Sequence, residues 1–494
     1  MIKRALTIIY MLLLPFLGTG QEKCLTPPGI SPWLKEFQEH PEQYPSLRSS
    51  AGWTVPVTIH ITRDGSGHPA IPVAQMLNAF CQLNVDFEPV NIQFYIDEIR
   101  FLDRPDYYDH SSINTAVEMI TRNRIAGTVN VFFVNTAVET GVCGYNLVDQ
   151  EVVSYGMTLS GDCTDGGNSN WAHEMGHYFS LPHTFNGWEG IQHDYREPAP
   201  ERVNNVPVER LDQHNCQQSG DGFCDTPPDY LNGRWYCAED GNSSFVQRDP
   251  DDRPFRSDGS MIMSYAFDGC ASRFSMQQIS AMQNFLVRQR SDHLPVPPEF
   301  RQIRSRDVKL TYPENADTLG IIDVVSLEWD RIAGAQGYLV EVSFLPTFAV
   351  IERQELVSTN SYSVGDLRIN RTYYWRVRPF SSRFTCPVYS SVRSFTLSSV
   401  ATGVRQISTV KSISLQPNPL RKGEPLGVML QATSTTMLRL ELLSLNGRIH
   451  WQEEHAVSPG VQTWEIPTNS LSKGMYMLRL HDASGTLTRK IVVQ

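Results

Sequence analysis

The chain has 494 residues, which at about 150 residues per domain corresponds to roughly three domains, and 40% of them are apolar, enough for several buried cores. A charged fraction of 19% is too low for a disordered or coiled-coil protein, and 33 glycines and 31 prolines without a period exclude a collagen-like chain. The formal net charge is -11 and no lysine- or arginine-rich block occurs, so nothing is built to neutralise nucleic-acid phosphates and no nucleic-acid partner is expected.

Lys3 and Arg4 form a positive stretch, Ala5 to Leu17 is an almost wholly apolar run, and Gly18-Thr19-Gly20 offers the small residues a signal peptidase needs. Residues 1–20 therefore read as a secretory signal, the apolar run being shorter than the ~20 residues that span a bilayer. No other run is long and apolar enough, so no transmembrane segment is expected after signal removal. The mature chain should reside where disulfides survive. Residues 21–51 are polar and proline-marked, with a short amphipathic piece from Trp33 to Phe37, and read as a pro-segment.

Val55, Val57, Ile59 and Ile61 alternate as one face of a strand, with His60 on the other face in a structural role. Apolar residues at 73, 76, 77, 80 and 87 have helical spacing, and Cys81 beside that face reads as an inert core thiol. Val129 to Val134 reads as an inner strand. The first half is thus expected to be α/β. Leu294-Pro295-Val296-Pro297-Pro298 is a linker signature, and beyond it short strands indicate two all-β modules joined near Ser399 to Ser412.

Trp171 to Phe185 carries the chemistry. His173 and His177 are four apart, so a helix places both imidazoles on one face, close enough to share an ion. Glu174 can reach water on that ion. A third protein ligand leaves the fourth position open, and His183 supplies it if the helix stops and the chain turns, which Pro182 favours. The asparagine- and serine-rich loop Asp165 to Asn170 places the helix start just before Trp171.

His173-Glu174-x-x-His177-x-x-x-x-x-His183 resembles the metzincin zinc signature. Gly176 and Thr184-Phe185 resemble its pappalysin branch. Ser260-Met261-Ile262-Met263-Ser264-Tyr265 is similar to the Met-turn of that clan, with Met263 as the base methionine, and Cys270-Ala271-Ser272-Arg273-Phe274-Ser275 continues the likeness. Ser275 and Gln278 form a capping box, and Phe274 and Ile279 are spaced as a hydrophobic staple for the helix that follows. The family has glycine where this chain has Ser180, a cost of roughly 1–2 kcal/mol if the turn is left-handed. The resemblance implies a multidomain protein with an α/β metzincin-like catalytic domain at 52–294, followed by two all-β sandwich domains at 305–398 and 413–494. It implies peptide-bond hydrolysis by water activated on zinc, with Glu174 as general base.

Further roles follow from the same resemblance. Tyr265 either donates to the developing oxyanion or is a core tyrosine beneath the site. Asp221, Asp225 and Thr226 lie in a stretch similar to a pappalysin calcium loop, and otherwise form a solvated turn. Asp268, after the Met-turn, either favours a basic residue after the scissile bond or is a turn residue beside Gly269. Six of the seven cysteines at 81, 143, 163, 216, 224, 237 and 270 allow fifteen pairings, of which Cys237 with Cys270 is the one the resemblance favours. Cys24 is either a thiolate ligand that keeps the site latent or a disulfide-bonded or exposed cysteine, and Arg48 offers a cleavage point behind the segment.

Residues 305–398 resemble a fibronectin type III domain through Ser326-Leu327-Glu328-Trp329, Gly337 to Val342 and Thr372 to Val377, with Trp329 in the core and Tyr373 at a corner. Residues 413–494 resemble the C-terminal sorting domain of type IX secretion in Bacteroidetes, through Leu415 to Pro419, Leu445 to Arg448, Leu471 to Leu480 and Arg489 to Val493. The chain is thus expected to pass through the periplasm to the medium or the outer-membrane surface, with the type IX machinery and protein or peptide substrates as partners. The competing expectation is a surface adhesin whose protease-like domain no longer cuts.

Overall fold

The computed structural model describes residues 23–47, 52–139, 141–148, 154–267, 269–300, 303, 308–320, 324–398, 407, 409–445, 447–482 and 485–494. The signal segment, the Arg48 cleavage point and Asp268 lie outside these residues. The chain divides into two units, residues 1–298 and 299–494.

The first unit is built on a six-stranded sheet. Its strands are β1 (Lys23–Cys24), β2 (Trp53–Thr62), β3 (Ile92–Leu102), β4 (Val129–Val134), β5 (Val142–Val148) and β6 (Ser154–Ser160). Their spatial order is β1-β5-β6-β4-β2-β3. β3, β2, β4 and β6 pair in parallel, whereas β5 is antiparallel to β6. β1 pairs in parallel with β5, Lys23 opposite Val142 and Cys24 opposite Gly144. Helices α1 (Pro32–Glu39), α2 (Val73–Asp86), α3 (Ile113–Asn123), α4 (Asn170–Tyr178) and α5 (Met276–Gln289) complete the frame.

β2 is buried on both faces. Val55, Val57, Ile59 and Ile61 are fully covered, and so are Thr58, His60 and Thr62 opposite. A central parallel strand has layers on both sides, so its polar residues need partners within the fold. His60 stacks on Phe132 at 4.1 Å and its Nε2 lies 3.1 Å from Asn130 Oδ1, while burial lowers its pKa to about 4. Cys81 departs from expectation: it is half-buried and disulfide-bonded, because it lies at the rim of the α2 apolar face rather than within it.

The second unit contains two sandwiches. One packs a three-stranded sheet (Leu310–Tyr312, Val324–Trp329, Ser361–Gly365) on a five-stranded sheet around Trp329, Tyr373 and Trp375. The Tyr373 hydroxyl accepts from Arg368 N at 2.7 Å, fixing a corner five residues upstream. The other sandwich runs from Val410 to Val493 with sheets of three and four strands. Buried Arg479 of that sandwich donates through Nε to Glu441 Oε2 at 2.6 Å and pairs with Glu328 of the first at 3.1 Å.

Candidate metal centre

α4 sets His173 and His177 one turn apart, with ring centroids 4.8 Å from each other. The helix ends at Tyr178, and Ser180 then adopts φ +73. That left-handed step lets Leu181 N reach back to Gly176 O at 3.0 Å and carries His183 to a centroid distance of 4.6 Å from His177. Met263 is fully buried beneath the helix, and a side chain at Gly176 would collide with its sulfur, so the glycine inside the motif is required by close approach.

Each imidazole is oriented through Nδ1. His173 Nδ1 lies 2.7 Å from Ile262 O, His177 Nδ1 2.7 Å from Leu181 O, and His183 Nδ1 3.2 Å from Glu189 Oε1. An Nδ1–H donated to an oxygen assigns the lone pair to Nε2. The Nε2 atoms of His177 and His183 face each other at 3.1 Å, and His173 Nε2 is buried without a hydrogen-bond partner. Burial, and the charge that His183 would carry, hold His173 and His177 well below the usual histidine range. Converging neutral lone pairs repel unless a cation sits among them. Tetrahedral zinc bonds of ~2.05 Å would set neighbouring nitrogens about 3.3 Å apart, close to the 3.1 Å between His177 Nε2 and His183 Nε2. Cys24 Sγ joins the group, and all four donor atoms lie within 4.8 Å of one another. Three nitrogens and a sulfur are a donor set that suits zinc.

Glu174 is buried beside this cluster. Its Oε2 accepts from Thr26 Oγ1 at 3.1 Å and Asn146 Nδ2 at 2.9 Å. Burial pushes its carboxyl up to about 7, against the lowering hydrogen bonds of Cys24, Thr26 and Asn146. Gly144 on β5 makes room: a Cβ there would lie 2.8 Å from the Glu174 side chain. The Tyr265 hydroxyl donates to Cys24 O at 3.1 Å and accepts from Cys24 N at 3.2 Å. A cleft of about 400 Å³ beside the cluster is lined by Cys24, His173, Glu174, Arg234, Tyr265 and Ala266, among others. Arg234 donates to Ala266 O at 3.1 Å and Asn170 Oδ1 at 2.7 Å. Nothing in the sequence pointed to Arg234 or to Glu189, which belong to irregular loops.

The loop after α4 is tied beneath the centre by Asp229. Its Oδ2 accepts from Thr184 Oγ1 and Ser264 Oγ, each at 2.7 Å, linking the residue after His183 to the turn around Met263. Nearby, Asp221 is fully buried and accepts from Phe223 N at 3.0 Å and Thr226 Oγ1 at 2.9 Å. Asp225 is not with them. It is exposed and accepts from Gln277 N at 2.9 Å in the first turn of α5. In its place stands Glu209, buried with neither oxygen hydrogen-bonded, and pushed up to about 10 by burial and by Asp221 and Asp229. A buried carboxylate without hydrogen bonds needs a proton or a cation. Three disulfides brace this region: Cys143–Cys163, Cys216–Cys224 and Cys237–Cys270.

Residues 414–494 match the family described as "Secretion system C-terminal sorting domain". This domain marks the chain for export, with a secreted or cell-surface destination. No helix among the described residues is long and apolar enough to cross a membrane. Over 281 residues, 53% of this chain and 83% of the relative, the chain is 24% identical to "Extracellular metalloprotease" of Arthroderma gypseum. Among solved structures it is similar to the chicken CNTN1 FN1–FN3 domains, at 15% identity over 38% of this chain and 66% of that one, just under two thirds, with a TM-score of 0.15. It is also similar to the fibronectin type III domain of human KIAA0970 protein, at 15% identity over 21% of this chain and 81% of that one, with a TM-score of 0.17. Superpositions at such scores carry no argument about the fold.

Proposed function

We propose that the chain is an exported zinc endopeptidase of the pappalysin-type metzincin group, kept latent by its own N-terminal segment. The observation that carries this reading is the convergence of His173, His177, His183 and Cys24 beside a buried glutamate. The distant extracellular metalloprotease supports it.

His173, His177 and His183 would hold the zinc, which when bound supplies a Lewis acid that lowers the pKa of water and polarises a carbonyl. Glu174 takes the proton of the attacking water and returns it to the leaving amine, a task suited to a carboxylate whose pKa burial has brought near neutrality. Tyr265 donates to the substrate carbonyl oxygen, the role its hydroxyl performs here toward the carbonyl of Cys24. β5 offers its backbone to an extended peptide. In the latent chain β1 takes that place, with Thr26 on Glu174, and Cys24 Sγ would be a fourth donor to a bound metal.

Glu209 and Asp221, with Thr226 at the side of Asp221, form a calcium site that ties the loop below the centre, since calcium prefers such hard oxygens. The sandwich at 305–398 is a fibronectin type III-like spacer. The test is zinc content of the purified protein together with casein digestion after removal of the segment. No zinc and no cleavage would favour the adhesin reading instead.

A further inference from the structure

Ser180 violates a local rule. At φ +73 a residue with a Cβ is strained, and glycine is the usual occupant. Strain of this kind persists where the surroundings fix it, and it clusters at sites with a task. Its partner here is specific. Ser180 Oγ lies 2.6 Å from Ser31 Oγ, and both residues are buried. Ser31 is the N-cap of α1 and accepts from Leu34 N at 3.1 Å. The strained residue is therefore joined to the start of the helix in the N-terminal segment.

From that point α1 lies against the catalytic unit along its length. Leu34 is fully buried and Phe37 nearly so. The Trp33 ring meets Phe285 of α5 edge-on at 5.0 Å, and Phe37 and Tyr44 pack on Trp33 at 5.5 and 6.0 Å. The Arg288 guanidinium lies 4.5 Å over the Tyr44 ring, and Arg288 donates to Gln43 O at 2.8 Å. Gln38 Nε2 donates to Asp221 O at 2.8 Å. None of these partners belongs to the histidine cluster.

We propose that Ser180, Phe285 and Arg288 form a second docking site for residues 23–47, which holds the segment over the cleft whether or not Cys24 has a metal to bind. This rests on the reading that the segment closes the site. A single cut behind the segment then does not open the cleft, because two anchors must release. Residues 23–47 behave as a peptide inhibitor that persists on the enzyme after its covalent tie is gone. The serine in the left-handed position supplies the hydroxyl that glycine lacks.

The readout is the rate at which iodoacetamide alkylates Cys24 in the native full-length protein, followed by mass spectrometry. Zinc is removed with a zinc-selective chelator in calcium-containing buffer, so metal ligation contributes nothing. The wild-type thiol should react slowly. Leu34→Ala and Phe37→Ala should react at least tenfold faster, and Lys35→Ala, at an exposed position, at the wild-type rate. Ser180→Gly should react several-fold faster while its thermal midpoint stays level or rises, since the backbone strain is gone. A structural role alone would raise the midpoint and leave alkylation unchanged. Wild-type rates in all the docking variants would overturn the proposal, as would a wild-type Cys24 that reacts like a free thiol once zinc is removed. Absence of casein cleavage after segment removal would instead sink the peptidase reading and leave the alkylation result standing.

Discussion

Glu174→Gln tests the chemistry most directly. The amide has nearly the size of the carboxylate, so it should fit against Gly144, and its oxygen can still accept from Thr26 or Asn146. The three histidines are oriented by Ile262 O, Leu181 O and Glu189, none of which the substitution touches. Zinc content and thermal midpoint should therefore match the wild type. What is lost is proton transfer. General-base catalysis is worth about 10²- to 10⁴-fold, or roughly 3–6 kcal/mol of barrier at ~1.4 kcal/mol per decade. The assay is kcat/KM on a quenched peptide with the segment removed, alongside zinc measured by mass spectrometry. A variant that keeps its zinc and cleaves within tenfold of the wild type would refute the role of Glu174. Loss of zinc in step with activity would refute the claim that the ligands are held independently of it.

Asp86, buried at the end of α2, has its carboxyl raised to about 6 by burial, against the hydrogen bonds of Gln82 and Ser169. A raised folded pKa means that this group's stability contribution is whole below about pH 4 and is lost as pH rises through about 6. Asp86→Asn should thus gain up to about 3 kcal/mol over the wild type at pH 7.5 and nothing at pH 4, measured by urea unfolding. Adding calcium to chelated protein should raise the thermal midpoint, and Glu209→Gln should abolish that rise while Asp225→Asn leaves it in place; equal responses would move the site elsewhere. Asp268 is proposed to favour arginine or lysine after the scissile bond. Cleavage-site profiling should show that preference weakened about tenfold in Asp268→Ala, and an unchanged profile would remove Asp268 from specificity.

The histidine cluster was legible because helical spacing converts directly into a shared face, and Pro182 marks where the helix cannot continue. Ser180 was legible only through the resemblance, as the position where the family has glycine, and the structure gives it the left-handed φ of +73. The supporting residues were not legible. Glu189, Glu209, Asp229 and Arg234 lie between α4 and α5, where short bridges and turns replace periodic structure, and no local pattern says which of many acidic residues turns inward. Asp225 shows the limit of spacing alone: one residue from Thr226, it faces the N-terminal turn of α5 rather than the carboxylate cluster. β1 was invisible for another reason. Two residues have no period, and what makes Lys23–Cys24 a strand is the open edge of β5.

That pairing has a consequence for the protein once the segment is gone. A sheet edge with unpaired amide and carbonyl groups is sticky toward any extended chain, including a second copy of the same protein. While β1 is in place, it covers β5 at Val142 and Gly144 and leaves only a strand of two residues at this edge of the sheet. Departure of the segment makes β5 an edge strand at the moment the cleft opens. Backbone pairing of the kind seen in strand addition is then available to every extended peptide, whatever its side chains. The trimmed enzyme should be correspondingly more prone to self-association than its precursor when no peptide is present, and extended peptides should suppress that tendency.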